Sequence, residues 1–187
     1  MGLNYQLLFQ IIIVFTIIQR ISELFLAKRN EKVILNNGGK IIKETNYLFM
    51  VILHTSWLLC LFYYAFFTIV KVNHLIFYTF FILFLIGQAL RITAIRTLGS
   101  RWSTRIVILP DAPAINNGIF KLFRHPNYLG VVIELFSLPL MILQFEVAII
   151  FSLSNFVILF YRIKLEEYNL KKYNNYSKTF NLKENNV

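Results

Sequence analysis

Five apolar stretches divide this chain, and their length constrains its fold more than any other feature. A helix that crosses a bilayer needs about 20 mainly apolar residues, because the bilayer core offers the backbone no water to bond. The 187 residues are 57% hydrophobic with a mean hydropathy of +0.61, well above a soluble domain. The sequence therefore predicts an all-α integral membrane protein with five transmembrane helices, at about 3–26, 47–70, 75–98, 128–143 and 146–162, and a polar tail at 163–187.

The last two apolar stretches are shorter than the first three. They hold about 16 residues each, or about 24 Å of helix against a hydrocarbon core of about 30 Å. Only Gln144 and Phe145 separate them, and Pro139 lies inside the first. We therefore expect a C-terminal helical hairpin that other parts of the protein partly cover, with a kink at Pro139.

The positive charge indicates how the chain is oriented. The net charge is +10, and with five spans the segments 27–46, 99–127 and 163–187 share one side of the membrane. Nearly all Lys and Arg residues lie in these segments or at the adjoining helix ends, which predicts a cytoplasmic C-terminus and an outer N-terminus in a bacterial plasma membrane. This placement favours contact with anionic membrane lipids, and we expect no nucleic acid partner.

The sequence lacks the signatures of soluble nucleotide-binding enzymes, hydrolases and metal sites. Cys60 is the only cysteine, which excludes an intramolecular disulfide and a cysteine-based zinc site. There is no G-x-G-x-x-G, Walker, G-x-S-x-G or H-E-x-x-H motif. His54 stands alone on an apolar helix and is interpreted as hydrogen-bonded within the bundle. We expect no metal site.

Residues 118–130 (GIFKLFRHPNYLG) join the longest polar segment to the fourth span. Proline is best tolerated in a first helical turn, so Pro126 predicts a helix that starts at Asn127 and Tyr128. The two basic residues before the proline then lie at the mouth of the helix, where they can face both water and a buried pocket. An ordinary basic loop–helix junction would have the same features, so this segment alone does not identify a site.

Charged residues inside the spans are the other candidates for a site. Arg20 and Glu23 share a helix face and form either a pair near the membrane surface or part of a polar cavity. Glu134 is an intramembrane carboxylate, which is costly, so it either lines a functional pocket or pairs with a buried donor. Arg162 and Glu166 lie four residues apart on the last helix, as an ordinary ion pair or as a cation and an anion facing the polar segment.

Taken together, the order of these motifs resembles the isoprenylcysteine carboxyl methyltransferase family. Members of that family are membrane enzymes that methylate a lipid-linked carboxylate with S-adenosylmethionine. The matching segments in the second half are LGSRWSTR at 98–105, NGIF at 117–120, RHPNYLG at 124–130, and Arg162 with Glu166-Glu167. The first half is similar to the bacterial branch of the family at 19–31, 38–39 and 49–54. The resemblance covers nearly the whole chain.

The resemblance implies a role for individual residues around a cytoplasmic cofactor pocket. Arg162 matches an arginine that orients the substrate carboxylate. Phe120 stands where a tyrosine is usual, and the acidic run after Arg162 is shortened to two glutamates. The residues that match cofactor-binding positions are Arg105, Ala112, Pro113, Ala114, Ile115, Phe120, His125, Pro126, Asn127, Tyr128 and Glu166.

The chemistry of methyl transfer agrees with this assignment. The nucleophile only has to be positioned and stripped of water. A carboxylate is ionised at neutral pH and needs no general base, and an arginine such as Arg162 holds it with two hydrogen bonds. An acidic enol would need a base, for which Glu134 and His125 are the candidates. In a bacterium prenylated proteins are not the expected substrate, so we expect a lipidic small molecule from the bilayer, such as an alkylated polyketide-type hydroxyl, with S-adenosylhomocysteine as the product.

Two other classes of function are compatible with parts of the sequence. Membrane NADPH-dependent reductases of the sterol-reductase type also end in an R-H-P-N-Y-x-G helix, but the pair Arg162 and Glu166 fits the methyltransferase better. A small membrane carrier would line a path at the midplane with polar residues. Here the polar residues cluster at one face, so the carrier ranks last.

Overall fold

The computed structural model describes residues 4–180, and it confirms an all-α membrane protein. The predicted start of the first span at Leu3 and the last seven residues of the tail lie outside the described residues. The helices are α1 (Tyr5–Asn36), α2 (Tyr47–Phe67), α3 (His74–Leu98), α4 (Pro126–Met141), α5 (Phe145–Tyr173) and α6 (Tyr176–Thr179). Two short 3₁₀ turns, Gly99–Arg101 and Gly118–Lys121, lie between α3 and α4.

Four helical segments within residues 4–180 are long and apolar enough to cross a membrane: Tyr5–Asn36, Tyr47–Phe67, His74–Arg101 (α3 with the 3₁₀ turn that follows it) and Phe145–Tyr173. The fifth apolar helix, α4, is shorter, with 16 residues. Large apolar side chains cover the outside of the bundle, and several on α1 are more than half exposed, such as Ile11, Phe15 and Ile18. Such a surface would be costly in water and is suited to lipid.

Two helices run further than the apolar stretches that predicted them. Helix α1 continues to Asn36, through a segment that we expected to be a basic loop. It ends where Gly38 adopts a φ of +79°, a conformation that favours glycine. Helix α5 has 29 residues, so only the first arm of the predicted hairpin is short. Its added turns carry Arg162, Glu166 and Glu167, and the chain has no Gly or Pro there to end the helix.

The two arms of the hairpin meet at residues 142–144. Pro139, where we expected a kink, lies in the last turn of α4, and the next helix begins at Phe145. Leu143 takes a φ of +58° in the turn between them. On the α4 side of this turn, the buried side chains of Leu135, Leu138 and Met141 pack with those of the first three helices to form the apolar core.

Helices α3 and α4 approach each other closely at Gly87 and Gly130. A Cβ added to Gly130 would lie 2.6 Å from Arg91 Cγ and 2.7 Å from the Gly87 carbonyl oxygen. Small residues at such a contact let two membrane helices pack backbone to backbone. Because the helices are so close here, the side chain of Arg91 on α3 reaches Glu134 on α4.

A small sheet, which the sequence did not predict, fixes the polar segments. Strand β1 (Lys40–Ile41) pairs antiparallel with β2 (Val107–Ile108), with Lys40 opposite Ile108. The pairing continues as the Ile42 N–H donates to the Ile106 carbonyl at 2.9 Å. The segment after α1 is thereby held against the longest polar segment, beside the cytoplasmic end of α4 in the predicted orientation.

Candidate functional site

Two cavities meet in a common wall at the first turn of α4. The polar cavity lies between this turn, the segment 101–115 and the end of α5, and has a volume of about 140 Å³. The apolar cavity lies between α1, α2, α4 and α5, and has a volume of about 530 Å³. Asn127 and Tyr128 line both cavities, together with Trp102 and Ser103.

Tyr128 is held in this wall by hydrogen bonds to α5. Its hydroxyl donates to Glu166 Oε2 at 2.7 Å and accepts from Arg162 Nε at 2.9 Å. The helix starts at Pro126, whose missing N–H costs nothing in a first turn, and this places Tyr128 in the same first turn, facing α5. A cation, an aromatic hydroxyl and an anion therefore form one chain across the wall.

Arg162 makes polar contacts through all three of its guanidinium nitrogens. Besides Tyr128, it contacts Glu44 Oε2 at 2.9 Å, the Thr104 carbonyl at 2.7 Å and the Met50 sulfur at 3.0 Å. The other oxygen of Glu44 accepts from the Ile106 N–H at 2.7 Å. Burial raises the pKa of the Glu44 carboxyl, and the neighbouring guanidinium offsets this only in part.

Sequence reasoning missed Glu44. The signal was available, because Glu44 is the only acidic residue among the basic and polar residues of the segment 37–46. What the sequence did not provide was the pairing with Arg162, which depends on the small sheet.

His125, which lines the polar cavity, contacts both glutamates of α5. His125 Nε2 lies 3.1 Å from Glu167 Oε1, and its Nδ1 lies 3.7 Å from Glu166 Oε2. Its ring stacks on that of Tyr128, with centroids 5.5 Å apart and an interplanar angle of 14°. Arg124 adds an ion pair with Glu167 at 3.0 Å. Both glutamates thus contact residues at the start of α4 or just before it.

The structure brings the predicted cofactor-binding residues together, with one exception. Ala112 is absent from the cavity wall, and its carbonyl instead accepts a hydrogen bond from Asn174 Nδ2 at 2.5 Å. The guanidinium of Arg105 lies over the ring of Tyr47, 4.9 Å from its centroid. The predicted residues that line the polar cavity are Arg105, Pro113, Ala114, Ile115, Phe120, His125, Pro126, Asn127, Tyr128 and Glu166.

Residues 174–180, here called the C-terminal strap, cover the polar cavity. Asn174 Nδ2 donates to the Leu109 carbonyl at 2.9 Å, and Asn175 Oδ1 accepts from the Ala114 N–H at 2.7 Å. Tyr176, which is almost fully buried, and Phe180 line the cavity. The strap therefore lies over the segment 109–114 and forms one wall of the polar cavity.

The polar cavity contains buried polar atoms that have no partner among the described residues. They are Trp102 Nε1, Asn127 Oδ1, Asn174 Oδ1 and Tyr176 Oη. A buried donor or acceptor without a partner costs about 1–3 kcal/mol. These atoms, the carboxylate of Glu166 and several aromatic faces suit a polar ligand that carries positive charge.

A cluster of four charges borders the apolar cavity. Arg20 contacts Glu23 at 2.9 Å and also pairs with Glu134. Arg91 pairs with Glu23, and its Nε lies 3.3 Å from Glu134 Oε1. Arg20, Glu23 and Arg91 line the apolar cavity, so the pair on α1 is both an ion pair and part of a cavity wall.

Glu134, one of the two predicted catalytic residues, lines neither cavity. Its side chain is fully buried and both its oxygens face the two arginines of this cluster. Of the two alternatives left open for Glu134, the structure favours pairing with buried donors. Arg162, the other predicted catalytic residue, does line the apolar cavity.

Comparison with known proteins gives a family and one bacterial relative. Residues 80–172 match the profile of the isoprenylcysteine carboxyl methyltransferase (ICMT) family, which confirms the resemblance drawn from the motifs. Over 166 residues the chain is 28% identical to "Uncharacterized protein YpbQ" of Bacillus subtilis (strain 168), covering 89% of this chain and 98% of that protein. No solved structure matches the chain significantly. The family match covers Tyr128, Arg162 and Glu166, whereas Glu44 and the strap lie outside it.

Proposed function

We propose that the chain is an S-adenosylmethionine-dependent O-methyltransferase, because its residues 80–172 match the isoprenylcysteine carboxyl methyltransferase family. Its acceptor is an oxygen acid on a lipidic molecule, either a carboxylate or an acidic enol. The observation that carries this proposal is the wall at Tyr128, which separates a polar cavity from an apolar one. A polar cavity beside an apolar one suits methyl transfer from a water-soluble donor to a lipid.

The polar cavity fits the chemistry of the methyl donor. When bound, S-adenosylmethionine supplies an electrophilic methyl group on a cationic sulfonium. Glu166 offers a carboxylate to the positive charge, and the rings of Tyr128 and Phe120 offer aromatic faces. The unpartnered atoms of Trp102 and Asn127 supply hydrogen bonds to polar groups of such a ligand.

The apolar cavity fits an acceptor that arrives from the membrane. Several side chains that line it are also 40% or more exposed on the outside of the bundle, which supports a lateral opening between α1 and α2. These residues are Ile21, Leu24, Val51 and Leu59. A lipid tail that enters there leaves its oxygen at the end of the cavity near Tyr128 and Arg162. Water is excluded from the acceptor on its path, which favours the displacement.

The site lies on the side of the membrane where the basic segments meet. Helices α1, α3 and α5 all end there, as do the segments that carry most of the lysines and arginines. The positive-inside rule assigns this side to the cytoplasm, where the methyl donor is dissolved. In a bacterium the protein then lies in the plasma membrane with its C-terminus inside.

Ligand binding to the full chain in detergent or nanodiscs tests this proposal. We expect isothermal titration to show binding of S-adenosylhomocysteine and none of NADPH. Incubation with S-adenosylmethionine labelled in its methyl group is expected to label a lipid in membranes that contain the protein. Binding of NADPH alone would instead identify a reductase and overturn the proposal.

A further inference from the structure

The electrical balance of the apolar cavity constrains the methyl acceptor. Three arginines, Arg20, Arg91 and Arg162, line the cavity, and each is paired with glutamate. The three glutamates that pair with them are Glu23, Glu134 and Glu44. The formal charges therefore cancel before any acceptor enters.

A carboxylate acceptor would disturb this balance. It would add an uncompensated anion to an apolar space, where an unpaired charge is costly. Arg162, which would have to hold it, already pairs with one carboxylate, that of Glu44, at 2.9 Å. Its Nε and Nη2 are engaged with Tyr128 and Thr104. A neutral hydroxyl enters the same cavity without displacing Glu44.

A neutral hydroxyl needs a proton acceptor, and the apolar cavity contains one in His54. Its Nδ1 lies 2.8 Å from the Met50 carbonyl, and because a carbonyl only accepts, Nδ1 must carry the hydrogen. In the neutral ring Nε2 is then the acceptor. It has no hydrogen-bond partner among residues 4–180, and the ring lines the apolar cavity.

His54 lines the apolar cavity from the same helix as Met50, a residue that contacts Arg162. It follows Met50 by one helical turn, about 5.4 Å along the axis, and the Met50 sulfur contacts Arg162 at 3.0 Å. The charged groups that face the same cavity come from three other helices. They are Arg20 and Glu23 on α1, Arg91 on α3 and Arg162 on α5.

We infer that His54 is the general base for an acceptor with a weakly acidic hydroxyl, of the phenol or enol kind, on an apolar tail. The inference rests on the proposed function. The oxygen forms a bond to the methyl carbon as the methyl–sulfur bond breaks, with its electron pair going to sulfur, and the hydroxyl proton moves to Nε2. The positive charge lost from the sulfonium is thus regained on the imidazole, so the site keeps its net charge. The proton is released to water after the product leaves.

A matched pair of acceptors tests the inference: 4-dodecylphenol and 4-dodecylbenzoic acid share their tail and ring and differ in the reacting group. The full chain is assayed in nanodiscs with methyl-labelled S-adenosylmethionine. We expect the phenol to become its methyl ether and the benzoic acid to react at least about tenfold more slowly. A faster reaction of the benzoic acid, or no reaction of the phenol while S-adenosylhomocysteine binds, would overturn the inference. If the unsubstituted protein does not bind S-adenosylhomocysteine at all, that result would instead contradict the proposed function.

The role of His54 is tested by His54→Phe, which keeps a ring of similar size and removes both nitrogens. A general base typically contributes about 10²–10⁴ in rate, so we expect at least about a 100-fold loss on the phenol. The affinity for S-adenosylhomocysteine should stay within about twofold, which also reports that the protein is folded. His54→Gln provides a second variant of different shape, and Ser56→Ala, on the lipid side of the same helix, is the control. Phenol turnover that survives both His54 variants would overturn the assignment.

Discussion

The hydroxyl of Tyr128 donates to Glu166 Oε2 at 2.7 Å, and this bond joins α4 to α5 in the wall between the two cavities. The same hydroxyl accepts from Arg162, so one oxygen bonds a glutamate that lines the polar cavity and an arginine that lines the apolar cavity. In the proposed function the donor and the acceptor bind on opposite sides of this oxygen, so its removal should affect both.

Replacing Tyr128 by Phe removes this oxygen and keeps the ring. Hydrogen bonds to charged groups contribute about 1.5–3 kcal/mol, so we expect the Kd for S-adenosylhomocysteine to rise about tenfold or more, measured by isothermal titration. Tyr168→Phe is the control, because that ring is 62% exposed and lies outside both cavities. Equal affinities for the Tyr128 variant and the unsubstituted protein would remove Tyr128 from the cofactor site.

The contact between Gly87 and Gly130 should determine the stability of the bundle. In Gly130→Ala the new methyl group would lie 2.7 Å from a backbone oxygen that has little freedom to move. Overpacking of this kind typically costs about 1–3 kcal/mol, and we expect a lower Tm in detergent. The control is Val132→Ala, at a position of the same helix that is 37% exposed. A Tm equal to that of the control would mean that α3 and α4 do not pack at this distance.

The C-terminal strap should control entry to the polar cavity. The cavity holds about 140 Å³ with the strap in place, less than the roughly 300 Å³ at which small-molecule pockets begin, so a ligand the size of a nucleoside must displace the strap. Tyr176→Ala removes a buried ring from this wall, and we expect S-adenosylhomocysteine to dissociate faster in stopped-flow measurements. Lys178→Ala, in the same helical turn but exposed, should leave the rate unchanged. An unaltered off-rate in the Tyr176 variant would contradict a covering role for the strap.

The orientation of the chain can be tested independently of its activity. A reporter fused after Val187 should be active as a cytoplasmic fluorescent protein and inactive as alkaline phosphatase, because the basic segments are predicted to face the cytoplasm. A reporter in the short connection at Lys71, between α2 and α3, should give the opposite result. Activity of the phosphatase at the C-terminus would put the polar cavity on the wrong side for a cytoplasmic cofactor.

The sequence predicted the helical bundle and part of the wall of the polar cavity, for two physical reasons. Apolar stretches of bilayer length can form little other than helices, and the cavity residues near His125 and Tyr128 are close together in the chain. The ends of α1 and α5 could not be predicted in the same way. A helix end that carries polar residues toward a site, such as Glu166, has the same amino-acid composition as a loop exposed to solvent.

The charge pairs could be predicted only where they lie within one helix. Arg20 and Glu23 are three residues apart, so helical spacing was enough. Their partners Arg91 and Glu134 come from α3 and α4, and their meeting depends on the close approach at Gly130. The pairing of Glu44 with Arg162 likewise depends on strand register. Such contacts between distant segments are set by packing, which hydrophobic periodicity does not encode.

Replacing Glu44 by Gln should change which acceptor the enzyme prefers. The substitution keeps the size of the side chain but removes the charge that neutralises Arg162, and it leaves a buried guanidinium without its anion. Breaking one side of a buried ion pair typically costs about 3–5 kcal/mol, so we expect a clear fall in Tm. A carboxylate acceptor can then take the vacated position, so 4-dodecylbenzoic acid should become a better substrate relative to 4-dodecylphenol, and its addition should restore part of the lost Tm. Glu31→Gln, which removes a carboxylate bonded to Ser103 at 2.7 Å and not to Arg162, is the control. If the ratio of the two rates is the same in both variants, Glu44 does not determine the charge of the acceptor.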